Sequence, residues 1–330
     1  MTTIAFDYDA VKYQIASVSE KKSIIVTHKQ SGDEQEFDNR TQFYGDWRKK
    51  EGGWLAEKNA TRTSPFLVEE FDIVDRQVAG PIDHCLRTVK NHIKNVCEKV
   101  GATSYYGYVG RGDSWRVEAS TILKYKGTRA GTAKPLLLEE VEEYLFKHHG
   151  GIEQRGLESD DVLVMDCTAN PEIILIGYEK DYQGCEVTLF NPDMMEKPHT
   201  IKGLGELFID EKGKVRGYGR KFFYWQVMGL DGIDNYSANS ATTKKWGEKS
   251  AYKLLQPCKT DKECWQALVD GYKNLYPEPS VFVGWRGDNI DVTWNYMLKE
   301  NVLMAHLLRW ENDYLNVDEI LDRLGVNIGN

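Results

Sequence analysis

The sequence predicts an α/β fold in which a mostly parallel central sheet is flanked by helices. Apolar strand segments alternate with helical patterns before residue 180, which is typical of parallel sheets covered on both faces. Several of these strand segments end in acidic residues, as they do where ligands bind at the carboxyl ends of parallel strands. With 330 residues, 41% of them hydrophobic, the chain is long enough for one large or two modest domains with a sizeable core.

The first third of the chain supplies an opening strand, a hairpin and a long helix. Residues 4–6 form a short apolar strand that ends abruptly at Asp7. Residues 23–37, with the turn sequence Ser-Gly-Asp in the middle, are typical of a β-hairpin. Residues 45–65 show little periodicity and are left without a regular element. Apolar residues at helical spacing predict a helix over 82–100.

The remaining elements continue this alternation and then become mostly helical. The residues at 105–109 form an aromatic strand, and residues 116–134 carry five bases against one acid. The other predicted elements are a helix with its apolar face at 137–145, a strand over 173–176, a strand and hairpin within 186–221, mostly helices from residue 222, and a last helix over 317–324 capped by Asn316 and stopped by Gly325.

Composition and charge exclude several classes of protein. Lys and Arg number 42 and Asp and Glu 51, so the net charge of −9 gives no global sign of nucleic-acid binding. No apolar run approaches the ~20 residues of a membrane helix, and the N-terminus lacks the regions of a secretory signal. The six cysteines contain no C-x-x-C pair, which leaves zinc-ribbon and thioredoxin-like motifs unsupported. We therefore expect a cytoplasmic protein that binds no membrane.

Acidic residues lie in four separate groups at the edges of apolar segments. Each group alone is typical of a helix cap or a solvated turn, because carboxylates favour the first turn of a helix. Together they would repel one another unless cations neutralise them. Oxygen ligands without His or Cys suit Mg²⁺ or Mn²⁺, and two such ions about 3.5–4 Å apart can hydrolyse a phosphodiester. The groups are Asp7 with Asp9, Glu158 with Asp160 and Asp161, Glu179 with Asp181, and Asp231 with Asp234.

The basic segment contains a Gly-containing stretch in which cations flank an aromatic residue. Lys126 and Arg129 can contact phosphates there, and Tyr125 offers a face on which a nucleobase could stack. A solvated basic loop is the alternative. Beside a carboxylate cluster, the substrate most consistent with both parts is a nucleic acid.

At these residues the sequence resembles the bacteriophage 5′→3′ exonucleases and flap endonucleases, a branch of the PIN-like structure-specific 5′-nucleases. The similar motifs occur in the family's order. They are AFDYD at 5–9, YKGTR at 125–129, GLESDD at 156–161, EKD at 179–181, MGLDGIDN at 228–235 and GEKSA at 247–251. The family's acid after the second strand has a counterpart only in Asp113, through a shifted loop, so whether Asp113 is a ligand stays open.

The resemblance implies a PIN-like fold and a role for each candidate residue. One ion would be held by Asp7, Glu158 and Asp160, and a second by Asp160, Glu179, Asp181 and Asp234, with Asp161 and Asp231 as outer supports. Lys126 and Arg129 would lie near the scissile phosphate. The amides around Gly247 and the side chain of Lys249 would hold the duplex as part of a helix–three-turn–helix motif at about 225–255.

These features predict a nuclease core over 1–221, including the basic loop at about 116–134, and a helical part over 222–330. The predicted activity is Mg²⁺- or Mn²⁺-dependent hydrolysis of DNA at 5′ ends or 5′ flaps during phage replication in the host cytoplasm, with an RNA–DNA hybrid as another substrate. A catalytically silent junction-binding protein and a metal-dependent phosphohydrolase of small substrates are the alternatives. The intact acids argue against the first, and the basic loop with Lys244, Lys245 and Lys249 argues against the second.

Overall fold

The computed structural model describes residues 2–46 and 52–329. These residues form two compact units, one of Met1–Val11, His92–Ala133 and Tyr144–Asn330, and the other of Lys12–Asn91 and Lys134–Glu143. In chain order the strands are β1 (Thr3–Asp7), β2 (Glu20–His28), β3 (Glu34–Phe37), β4 (Phe71–Ala79), β5 (Ser104–Arg111), β6 (Gly151–Arg155), β7 (Ile174–Ile176), β8 (Thr188–Phe190), β9 (His199–Thr200), β10 (Glu206–Ile209), β11 (Val215–Tyr218), β12 (Leu230–Asp231), β13 (Tyr236–Ser237), β14 (Ser280–Val283) and β15 (Asn289–Val292). The helices are α1 (Tyr8–Val18), α2 (Arg40–Tyr44), α3 (Trp54–Asn59), α4 (Ile82–Val100), α5 (Trp115–Ala119), α6 (Leu138–His148), α7 (Ser159–Ala169), α8 (Arg220–Met228), α9 (Glu248–Leu255), α10 (Asp261–Leu275), α11 (Trp294–Ala305) and α12 (Val317–Leu324).

The first unit is built on a six-stranded sheet with the order β6-β5-β1-β7-β8-β9. The strands β6, β5, β1, β7 and β8 are parallel to their neighbours, and only β9 pairs antiparallel. Strand β1 lies in the middle, where Asp7 is in register with Tyr108. The predicted mostly parallel sheet is therefore confirmed, and its central strand ends at the first candidate ligand.

Helices cover this sheet because its central strands are apolar on both faces. On one face Ala5 and Leu175 pack with Leu163 and Val164 of α7. On the other face Phe6 stacks on Tyr8. Burying each Leu or Val side chain contributes about 1.5–3 kcal/mol, so this packing fixes where β1 ends and α7 begins.

The carboxyl-terminal part of the first unit packs around α8, α10 and α11. Val227, Leu268 and Leu298 are fully buried in this core. The last helix is α12, with Asn316 as its cap and Gly325 in the left-handed conformation at its end, as predicted. From residue 222 the regular elements are mostly helices, as predicted, and the short antiparallel pairs β12–β13 and β14–β15 are additions. Strands of two to four residues have too short an alternation to be seen in sequence.

The second unit contains the antiparallel sheet β3-β2-β4 and a small aromatic core. The predicted hairpin is confirmed as β2 and β3, and β4 adds a third strand. Phe37, Phe43 and Phe71 are buried together in its core. Of the unassigned stretch 45–65, residues 54–59 form α3, and residues 47–51 lie outside the described residues. Across the described ranges, no helix has both the length and the apolar character that crossing a membrane requires.

Candidate metal centre and nucleic-acid interface

The four acidic groups converge at the carboxyl end of the parallel sheet. Asp7 is the last residue of β1, and Glu179 and Asp181 follow β7 directly. Residues far apart in sequence meet there, because Asp181 and Asp234 contribute oxygens to one group within 4.8 Å, and the Tyr125 hydroxyl contacts both Glu158 and Asp234. The fold therefore brings the predicted ligands to one site.

The start of α7 supplies three of the acids. Glu158 is the residue before the helix, and its backbone is extended while Asp160 and Asp161 lie in the first turn. Glu158 and Asp160 are two residues apart, at the point where the extended backbone becomes helical. Burial and the nearby charge of Glu158 both raise the pKa of Asp160. The sequence interpretation of this group as a helix start is confirmed.

The tightest carboxylate group consists of Asp181, Asp231 and Asp234. One oxygen from each lies within 4.8 Å of the others, a spacing that one cation can bridge. Asp231 is only 6% exposed and accepts hydrogen bonds from the backbone N–H groups of Ile233 and Asp234 at 2.9 and 3.0 Å. It therefore shapes the turn that presents Asp234, and it also faces the common oxygen cluster.

Five of the carboxyl groups have raised pKa values, with burial as the largest cause in each case. Burial, together with the charge of Asp9, raises the pKa of Asp7 to about 6. Burial raises the pKa of Asp181 to about 7. Burial also raises the pKa values of Asp160 and Asp234, with Glu158 adding to the effect on Asp160 and Asp231 to that on Asp234.

The fifth of these groups, Glu179, lies at the rim of the cluster. Surrounding protein and the charges of Asp7 and Asp181 raise its pKa to about 8. Glu179 is nevertheless solvent-exposed, so screening by water reduces the energetic consequence of this pKa shift. All five shifts have the sign expected of carboxyl groups that are shielded from water and lie near other carboxylates.

The three other carboxyl groups are already neutralised by fixed cations. Burial acts to raise the pKa of Glu158, but Arg116 and Lys126 outweigh it and lower the pKa. Arg116 likewise lowers the pKa of Asp161 against the effect of burial, and Lys180 that of Asp231. The distance from Lys180 Nζ to Asp231 Oδ2 is 2.8 Å.

Asp161 is fully buried and its oxygens are occupied by protein donors. Arg116 donates to both oxygens at 2.8 Å, Trp115 Nε1 donates at 3.2 Å, and the backbone N–H of Leu308 donates at 3.0 Å. This arrangement suits the outer supporting role that the resemblance implies for Asp161, since no oxygen remains directed at a cation.

Asp7 is held in place by two hydrogen bonds. The hydroxyl of Tyr182 donates to Asp7 Oδ2, and the N–H of Ala10 donates to Oδ1, each at 3.1 Å. Tyr182 reaches Asp7 by packing its ring against Gly177, where any Cβ would lie 2.4 Å from that ring. Asp9, which is not one of the predicted ligands, accepts hydrogen bonds from the Gly110 N–H (2.9 Å) and the Ser159 hydroxyl (2.7 Å), and so ties the start of α1 to β5 and α7.

The basic segment lies against the acids, as predicted. Lys126 forms an ion pair with Glu158, and Arg129 Nη2 lies 3.1 Å from Asp234 Oδ1. The backbone of Lys126 is left-handed, with φ of 55°, and its N–H donates to the carbonyl of Asp234 at 2.9 Å. A non-glycine residue keeps a left-handed backbone only where surrounding contacts stabilise it. Here the contact with Asp234 stabilises this conformation at Lys126, the predicted catalytic lysine.

Tyr125 corrects one sequence prediction. Its side chain is only 4% exposed, and its hydroxyl lies 3.0 Å from Glu158 Oε2 and 3.3 Å from Asp234 Oδ2. A ring buried in this way has no free face for a nucleobase, so the stacking role is wrong. The hydroxyl of Tyr125 instead contacts the carboxylates of both Glu158 and Asp234.

The predicted duplex-binding residues lie outside the carboxylate cluster. Gly247 is the cap of α9, and Lys249 is solvent-exposed in the first turn of that helix. Helices α8 and α9 flank the segment that carries β12 and β13, and the helix–three-turn–helix assignment of this region stays a prediction. Asp113 is exposed after β5, and its role as a ligand also stays open.

Sequence reasoning missed two cations that define the site, Arg116 and Lys180. Arg116 appears in sequence only as one of five bases in a basic segment, yet its side chain is fully buried against Asp161 and Glu158. Lys180 is flanked in sequence by two acids, and this placement is the one signal that could have suggested a charge-compensating role.

The donor set fits a hard divalent cation. Its members are carboxylates alone, the donors that Mg²⁺ and Mn²⁺ prefer. Burial is the largest cause of the raised pKa values of Asp7, Asp160, Asp181 and Asp234, and neighbouring carboxylates add to it. A bound cation would stabilise the ionised forms of these groups.

Comparison with known proteins gives distant structural similarity. No protein-family model and no curated protein matches the chain. Similar solved structures include the 5′-exonuclease of bacteriophage T5 with bound zinc (14% identity, TM-score 0.45), which covers 72% of this chain and 88% of that chain. A T5 protein crystallised with metal ions has 15% identity and TM-score 0.42, with coverage of 72% and 90%. The T5 flap endonuclease in a product complex with DNA and metal ions has 14% identity and TM-score 0.40, with coverage of 72% and 89%.

Proposed function

We propose that the chain is a metal-dependent nuclease that hydrolyses phosphodiester bonds at the 5′ ends or 5′ flaps of DNA. The observation that carries this proposal is the convergence of a group of carboxylates with two basic side chains at the end of a parallel sheet. The nearest basic contacts are Lys126 with Glu158 and Arg129 with Asp234. A site that combines hard-cation ligands with phosphate-binding cations suits phosphodiester hydrolysis.

The carboxylates divide into residues that would hold cations and residues that orient them. Asp7, Asp160, Glu179, Asp181 and Asp234 are the carboxyl groups whose pKa values are raised by burial and by neighbouring carboxylates. These would hold two Mg²⁺ or Mn²⁺ ions, with Glu158 at the edge. Bound there, such ions supply an activated water and stabilise the leaving oxygen.

The basic side chains would receive the phosphate. Lys126 and Arg129 share Glu158 and Asp234 with any bound cation, so each side chain can exchange its carboxylate for a phosphate oxygen of the substrate. The left-handed backbone at Lys126 keeps its Cα against Asp234 during that exchange. Their cations then stabilise negative charge that develops during hydrolysis.

Direction and biological setting rest on the motif resemblance stated above. Its order of motifs, from AFDYD at 5–9 to GEKSA at 247–251, supports 5′→3′ polarity and a duplex grip by Gly247 and Lys249. It also supports phage DNA replication in the host cytoplasm as the setting, with the 5′ strand as DNA or as RNA in a hybrid.

A cleavage assay tests the proposal. A 5′-labelled flap and a nicked duplex are incubated with the protein in Mg²⁺ or in EDTA, and the products are resolved by size. The proposal expects short labelled products in Mg²⁺ and none in EDTA. Binding without cleavage would favour a junction-binding protein, and hydrolysis of small phosphodiesters alone would favour a small-molecule phosphohydrolase.

A further inference from the structure

The segment that leads into the basic loop is held by a buried acid of α11. Glu300 is 7% exposed, and its Oε1 accepts hydrogen bonds from the N–H groups of Thr121 and Ile122 at 2.7 and 3.1 Å. Its Oε2 accepts from the Thr121 hydroxyl at 3.0 Å, and that hydroxyl also lies 2.6 Å from Tyr296 of the same helix. One side chain therefore fixes two consecutive backbone amides about four residues before Lys126.

The hairpin of β14 and β15 holds the same segment from its carbonyl groups. Arg286, in the turn of this hairpin, donates to the carbonyls of Val117, Glu118 and Ser120 at 2.7 to 3.0 Å. Trp285 Nε1 donates to Ser120 at 2.9 Å. Glu300 thus binds backbone N–H groups, and Arg286 binds backbone carbonyl groups, of the same short segment.

Arg116 links this stretch to the carboxylates. Besides its two bonds to Asp161, it donates to Glu158 at 2.6 Å and to the carbonyl of His306. Asp161 in turn accepts from the N–H of Leu308. The chain just after α11 is therefore tied to both members of the buried ion pair.

We propose that Arg286, Glu300 and the carbonyl of His306 form a positioning clamp for residues 116–122, while the N–H of Leu308 holds Asp161, the partner of Arg116. The clamp sets where the following loop places Lys126 and Arg129 relative to Glu158 and Asp234. This inference rests on the proposed nuclease function for its effect on rate, while the ordering of residues 117–130 can be measured without any activity. It assigns a role to carboxyl-terminal residues for which the motif resemblance offers none.

Three variants on the clamp and one control test it. Glu300→Ala removes all three bonds to Thr121 and Ile122, whereas Glu300→Gln keeps one oxygen to accept from both amides. Arg286→Ala removes the carbonyl contacts from an exposed position, so folding should survive even if Glu300→Ala fails to fold. Lys299→Ala is the control, because Lys299 lies beside Glu300 on α11 and pairs at the surface with Asp318.

The first readout is hydrogen exchange of the peptide covering 117–130 in the full chain. We expect Glu300→Ala and Arg286→Ala to raise its exchange by about tenfold or more, with little change elsewhere, and Glu300→Gln and Lys299→Ala to resemble wild type. Unchanged exchange in Glu300→Ala and Arg286→Ala, or the same increase in the control Lys299→Ala, would overturn the clamp. This result stands whether or not the protein cleaves DNA.

The second readout separates positioning from stability. The rate of single-turnover cleavage of a 5′ flap should fall by about 10- to 100-fold in Glu300→Ala and Arg286→Ala, because a small misplacement of catalytic groups lowers the rate strongly. The Kd for the flap should stay within about twofold, and Glu300→Gln should restore the rate. A rate that follows only the loss of melting temperature or of affinity would reject a positioning role. A wild-type protein that never cleaves would reject the proposed function, with the exchange result still deciding on the clamp.

Discussion

The stability of the metal-free protein should fall as the pH rises through the neutral range, and Asp181 allows the size of this effect to be worked out. Its pKa is raised from 3.8 to about 7 by burial. A carboxyl group whose pKa is raised on folding contributes stability that is complete below the unfolded pKa and is lost as the pH rises through the folded pKa. Between pH 5 and 8 this single group lowers the free energy of unfolding by about 2.5 kcal/mol. With an unfolding entropy of about 2 cal/mol/K per residue, a chain of 330 residues would lose about 4 °C in Tm.

Other groups titrate in the same interval, so the prediction is made for a difference between two proteins. The raised pKa values of Asp7 and Glu179 act with the same sign as Asp181. Burial lowers the pKa values of His92 and His306, and these act with the opposite sign below about pH 6.5. Asp181→Asn removes the titration of Asp181 and its charge beside Glu179, and both changes favour the variant at high pH. The contributions of His92 and His306, which lie outside the cluster, largely cancel when the variant is compared with wild type.

The assay is denaturant unfolding of wild type and Asp181→Asn in EDTA at pH 5 and pH 8. The variant should gain about 2.5 kcal/mol relative to wild type between the two pH values. Millimolar Mg²⁺ should raise the stability of wild type more at pH 8 than at pH 5, because cations bind the ionised carboxylates of the folded chain. A stability difference that stays constant with pH, or a Mg²⁺ effect that is larger at pH 5, would refute the reasoning.

Three substitutions separate chemistry from binding. Asp160→Asn should abolish cleavage of a 5′ flap while leaving the Kd for DNA unchanged or lower, since a metal ligand that can carry negative charge is replaced by a neutral amide; near wild-type cleavage would remove Asp160 from the ligand set. Lys126→Ala should lower the single-turnover rate by a factor of ~100, as the loss of one charge-stabilising donor does, with a modest change in Kd; an effect on affinity alone would make the loop a binding element. Lys249→Ala should weaken binding and reduce its salt dependence, with a nearly normal rate at saturating enzyme; an unchanged Kd over a salt titration would exclude Lys249 from the DNA-binding surface.

The local features of the fold could be predicted because they depend on neighbouring residues. The apolar strand before Asp7 and the helix start at Glu158 are confirmed as β1 and α7. Their convergence was also predictable, because parallel strands carry their carboxyl ends to one edge of a sheet. The cap and stop of α12 follow from the intrinsic preferences of Asn316 and Gly325.

The parts that sequence could not supply depend on contacts between distant residues. Whether Tyr125 is a surface aromatic or a buried one is decided by Glu158 and Asp234, which lie 33 and 109 residues away along the chain. Similarly, Arg116 is an ordinary base in sequence and becomes a buried cation only because Asp161 and the chain after α11 surround it. The sequence determines where charged residues lie along the chain, and the tertiary fold decides which of them neutralise one another.

The location of the bound cations tests the central claim most directly. Crystals of the wild-type protein grown with Mn²⁺ would be measured at a wavelength where manganese scatters anomalously. We expect two anomalous peaks about 3.5–4 Å apart, one coordinated by Asp181 and Asp234 and both within reach of Asp160. No peak among these carboxylates at millimolar Mn²⁺, or peaks only at other surface acids, would contradict the assignment of this cluster as the metal centre.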